Sequence, residues 1–143
     1  IEPEVEMSAE DQIRDRFYNI PNGPSPETVE AWKSRWGNEG VFVVSIAEAD
    51  TYVLRYITSA EWEAMQKFMK EMSARANGNE QMLSDIDTSV KKKVIETCCL
   101  WPKIDDKFFT QKRAGLLDQL HYVVMMNSYF FAPQQVLAFT ATL

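Results

Sequence analysis

The chain has 143 residues, a length suited to one domain, with 45% hydrophobic and 25% charged residues, the ordinary balance of a globular protein. Its net charge of −6 is uneven: residues 1–50 carry 11 acids against 4 bases, and the rest 10 acids against 11 bases. That distribution argues against generic nucleic-acid binding, which draws its affinity from Lys and Arg, and no apolar run approaches the roughly 18 residues of a membrane span.

The opening, IEPEVEMSAEDQ, has neither the basic nor the apolar region of a signal peptide. Residues 1–24 predict an extended acidic N-terminal arm with one short helix. Pro3, Pro21, Gly23 and Pro24 punctuate it, and Ile13, Phe17 and Ile20 give a weak helical stripe. So few apolar anchors cannot fold alone. The arm is therefore expected to lie across the domain or reach a neighbour, and to add little to stability.

SPETVEAWKSRWG, residues 25–37, predicts a short helix. Ser25 suits the N-cap, Pro26 the first helical position and Gly37 the stop. Val29, Trp32 and Trp36 share a face and read as anchors to the core. Residues 41–57 predict two β-strands joined at Glu48, Ala49 and Asp50. Both faces of the pair are apolar, so helices are expected to cover it. Thr58 and Glu61 have capping-box spacing and open a helix ended by Asn77-Gly78. Its stripe of Trp62, Met65, Met69 and Met72, with Phe68 beside it, reads as core; a Met-rich stripe also suits an adaptable binding face. Residues 79–87 are polar and predict a loop. A helix follows, capped by Asp87 or Thr88, with Val90, Val94, Cys98 and Trp101 on one face and Pro102 as the stop. Residues 103–111 predict a connection. Residues 111–132 predict a long helix, apolar nearly all round, and hence central or between subunits. Residues 133–143 are an apolar C-terminal tail. The expected class is α+β, mostly α: four to five helices around a short hairpin, within a domain spanning residues 25–132.

Catalytic signatures are scarce. Cys98 and Cys99 are neighbours, and on a helix neighbours point about 100° apart, which suits no ordinary disulfide. A structural metal site needs four ligands, and His121 is the single histidine. The cysteines therefore read as small buried hydrophobes in a reducing compartment, and His121 as a hydrogen-bonded core imidazole. No phosphate-binding glycine loop or nucleophile elbow is present. Asp105-Asp106 reads as solvated turn and Lys91-Lys92-Lys93 as a solvated helix face. The expectation is a non-enzymatic chain with no catalytic, cofactor or metal residues.

Certain residues recur in a familiar order. A Trp32-Lys33 helix precedes the strand pair; Tyr52, Arg55, Thr58, Glu61 and Trp62 follow at fixed spacing. Cys98, Trp101 and Pro102 come next, then Ala114, Gly115 and Leu116. Across residues 25–131 this order resembles small tail-assembly and baseplate-hub proteins of contractile-tailed bacteriophages. Two features depart from the pattern: Tyr56 and Ile57 stand where a proline is expected, and the C-terminal end is long and aromatic. The resemblance implies a structural or assembly role, exercised in the virion tail or baseplate or in the host cytoplasm during assembly. Expected partners are hub, tape-measure or baseplate subunits within a larger assembly, with no nucleic acid or membrane. Phe108, Phe109, Tyr129, Phe130, Phe131 and Phe17 are the candidate partner-binding residues, because aromatics bury large areas at low entropic cost. The alternative for these aromatics is burial in the core. The alternative for the whole chain is an intracellular adaptor that recruits partners through its acidic arm.

Overall fold

A computed structural model describes residues 8–46 and 50–130. Among these described residues, five α-helices and a three-stranded antiparallel sheet make an α+β fold that is mostly α.

Helix α1, Ala9–Tyr18, is capped by Ser8, whose Oγ accepts from the Asp11 amide. It lies across the domain, one of the two placements expected of the N-terminal arm. It packs on the sheet, and Phe17, only 3% exposed, joins Val29 and Val53 in a small core. Helix α2, Pro26–Trp36, has the expected Ser25 cap, and Gly37 ends it at φ +85°, a conformation that favours glycine.

Strands β1, Val41–Ile46, and β2, Asp50–Arg55, pair in unbroken register from Val41–Arg55 to Ile46–Asp50. Two of the three predicted turn residues lie outside the described residues, and Asp50 opens β2. Strand period sorts the side chains. Val41, Val43 and Val53 face the small core, whereas Phe42, Val44, Ile46, Tyr52 and Leu54 face the main core.

Helix α3, Ser59–Ala76, carries the full Thr58–Glu61 capping box and ends at Asn77 in the left-handed region. Helix α4, Glu80–Cys98, begins where a loop was expected. Asn79 is its cap, accepting from the Met82 amide, so Asp87 and Thr88 are interior helical residues. The apolar stripe explains the extension: Ile86, Val90, Val94 and Cys98 recur at helical spacing and all pack in the main core. The chain then turns into β3, Cys99–Trp101, antiparallel to β2. Trp101 thus lies on a strand beside the small core, not on the helix face with Cys98.

A 3₁₀ turn, Phe108–Gln111, leads to α5, Leu116–Asn127. The helix is shorter than the predicted span. Leu116, Leu120 and Val124 bury one face, while Tyr122 is exposed, so it lies at the edge of the core and is not covered all round. The C-terminal tail, 133–143, lies outside the described residues.

Candidate interaction surface

One buried polar centre ties the elements together. Arg55, 6% exposed, forms a two-pronged ion pair with Glu61, with both contacts at 2.8 Å. Its guanidinium also donates to the carbonyls of Tyr56 and Thr97 and stacks over the Trp36 ring at 3.9 Å. Glu61 Oε1 accepts from the Thr58 amide and hydroxyl. The hydrogen bond from Arg55, aided by those from Thr58, holds the Glu61 carboxyl down at about 2 against the opposing effect of burial. This single node joins the end of β2, the start of α3, the end of α4 and Trp36 of α2. The motif residues Arg55, Thr58 and Glu61 are thus structural, and Tyr52 and Cys98 of the same pattern are buried in the main core.

The cysteines are held within the packing as well. Cys98 is fully buried, and Cys99 Sγ donates to the Trp101 and Pro102 carbonyls. Burial pushes both thiols up to about 12. His121 is half-buried on α5, outside the core; burial lowers its pKa and nearby Lys91 adds to the effect. The basic run contributes to packing: Lys91 bridges Asp87 and Asp118, and Lys93 sits 3.7 Å over the Phe68 ring. Asp105 accepts from the Lys107 amide as an exposed turn residue. Among the described residues no group of three or more His, Cys, Asp or Glu side chains could hold a metal ion, and no helix is long and apolar enough to cross a membrane.

The candidate aromatics divide. Phe17 is core. Phe108 and Phe109 are half-buried and pack on the main core, Phe108 edge-on to Tyr52 at 6.2 Å. Tyr129 is 82% exposed, and its φ of +71° turns the chain sharply after α5. Phe130 is 43% exposed and lies edge-on to Trp62 at 5.0 Å. Phe131 lies outside the described residues.

Tyr129 and Phe130 flank two adjoining grooves. The larger, about 880 Å³, lies among Trp36, Gly40, Tyr56, Ser59 and Tyr129. The second runs past Trp62 to Phe130 and shares Ile57, Thr58, Ser59 and Ser128 with the first. Ser128 fixes the junction: its hydroxyl accepts from the Ile57 amide and donates to the Val124 carbonyl. Trp36 and Tyr56, edge-on at 5.8 Å, were read from the sequence as a core anchor and a strand residue. The signal available was the glycine-bracketed turn Gly37-Asn38-Glu39-Gly40, which holds the α2 end close to Tyr56.

Comparison with protein-family models, curated proteins and solved structures finds no match for this chain.

Proposed function

We propose that this chain is a non-enzymatic protein-binding component of a bacteriophage tail or baseplate, acting as a structural subunit or as a chaperone of hub or tape-measure proteins. The exposed pair Tyr129 and Phe130 at the mouth of an aromatic groove carries the binding part of this reading. Exposed aromatics beside a concave surface, here a mixed polar one walled by Trp36, Tyr56 and Trp62, are the usual anchors of a protein interface. The tail part rests on the ordered motifs of residues 25–131.

A photo-cross-linker at position 129, introduced in the virus that encodes the chain, tests the reading. Cross-links to a hub, tape-measure or baseplate protein in purified virions support the structural subunit. The same cross-links in infected-cell lysate, with the chain missing from virions, support the chaperone. Cross-links confined to cellular proteins in cells without phage genes overturn the tail reading in favour of an adaptor.

A further inference from the structure

The two adjoining grooves beside Tyr129 and Phe130 share one electrostatic character. Each holds an exposed carboxylate, Glu39 in the first and Glu63 in the second, and among the described residues no lysine, arginine or histidine lines either. Neither carboxylate belongs to an ion pair among the described residues. Lys67, one turn after Glu63 on α3, does not line the groove. The groove between α1 and β1 differs: Arg14 and Lys33 line it together with Glu10. Uncompensated negative charge is thus particular to the Tyr129–Phe130 surface.

The hydrogen-bonding groups of the two grooves are biased in the same direction. The Ser128 hydroxyl donates to the Val124 carbonyl, the Thr58 hydroxyl to Glu61, and the Asn127 amide to the Val123 carbonyl. These donors are engaged inside the fold. The side-chain oxygen of Asn127 and the two carboxylates remain as acceptors.

The rings add a third attraction for positive charge, because the face of an aromatic ring carries the negative part of its quadrupole. Trp36 is already engaged, with Arg35 at 4.9 Å and Arg55 at 3.9 Å from its ring. Among the described residues the other cations over rings lie on Phe68 and Phe108, and none lies over Tyr56, Trp62 or Phe130. Acceptors, carboxylates and unengaged rings together suit a ligand that is cationic and rich in donors. Lysine and arginine side chains have that chemistry, since both donate and neither accepts. The two grooves, of about 880 and 280 Å³, exceed what one ammonium or guanidinium group fills. A length of polypeptide carrying such a group occupies them.

We infer that the Tyr129–Phe130 surface binds a lysine- or arginine-bearing segment of its partner protein, with Glu39 and Glu63 receiving the positive charge. The inference rests on reading this surface as an interface, and it adds the charge of the partner.

Panning a random peptide library against the full chain tests it. The bound peptides should carry lysine or arginine at no less than twice the input frequency. The best of them should lose at least fivefold in affinity for the double variant Glu39→Gln with Glu63→Gln. It should lose less than twofold for Glu27→Gln with Glu71→Gln, which removes the same charge from exposed positions outside both grooves. Its binding should weaken as salt is raised, and it should shift the indole N–H signals of Trp36 and Trp62 but not that of Trp32. Enrichment of neutral or acidic peptides, or none at all, overturns the inference. Equal losses for the two double variants overturn it as well, because they reduce the effect to attraction by net charge. Neither result bears on which protein is cross-linked from position 129, so the tail reading stands or falls separately.

Discussion

At the scale of single residues the decisive group is Glu61. Its carboxyl, held at about 2 in the folded chain by Arg55, has an ordinary value near 4.3 when unfolded. A depressed acid contributes stability above its unfolded pKa and loses it as pH falls through its folded one. The contribution, roughly 3 kcal/mol on this difference, is present at pH 7 and disappears between about pH 4.5 and pH 2. Urea unfolding of the parent and of Glu61→Gln should show a stability difference that shrinks steadily across this window; a constant difference would remove the ion pair as its cause. Arg55→Leu, which strips the partner from Glu61 and leaves the Thr97 carbonyl without its guanidinium donor, should cost about 3–5 kcal/mol at pH 7. The thiols give a second check. With both held at about 12 by burial, the reactive thiolate is scarce at neutral pH. Native protein at pH 8 should react with a thiol reagent at least a hundredfold more slowly than urea-unfolded protein. Fast native labelling of either cysteine would contradict the packing described here.

At the scale of elements, α1 bears on the expectation that residues 1–24 add little to stability. Its exposed acids suggest an arm that contributes little, but Phe17 closes the small core against Val29 and Val53, and Arg16 donates to Ser45 Oγ on β1 at 2.8 Å. Phe17→Ala should therefore cost about 3–5 kcal/mol. Deleting residues 1–24 should lower the thermal midpoint by more than about 8 °C, given about 2–8 °C per kcal/mol for domains bracketing this size. A smaller fall would restore the independent arm. The contrast shows which elements a sequence exposes. Helix α3 was legible because its capping box and stripe are local. The start of α4 was hidden by the polar run around Asn79, although Ile86 already stood in register with Val90. Strand β3 was illegible: Cys99–Trp101 becomes a strand only because β2, more than forty residues earlier, presents an edge to it. The aromatic surface was half legible. Tyr129 and Phe130 stood out, but Trp36 and Tyr56 join them only through the tertiary placement of the turn between α2 and β1.

At the scale of the whole molecule, β2 decides how the fold comes apart. It is the middle strand, and its side chains alternate between two cores: Val53 belongs to the small cluster, and Tyr52 and Leu54 to the large one. The small cluster also takes Trp101 from β3 and Trp32 from α2, whereas Trp62 packs on the large one. Neither cluster can open fully without disturbing the strand that floors both, and the Arg55 node at the strand's end couples α2 to α3 and α4. The two cores should therefore unfold as one cooperative unit, as small single domains usually do. Two variants test this, one retaining only Trp101 and the other only Trp62, with the remaining tryptophans changed to phenylalanine. In each, tryptophan fluorescence and backbone circular dichroism should give the same urea midpoint within about 0.2 M, although the two variants differ in absolute stability. A fluorescence midpoint well below the backbone midpoint in the Trp101 variant alone would mean that α1, α2 and their small core melt first. The domain would then be built of two units, with β2 belonging to the larger.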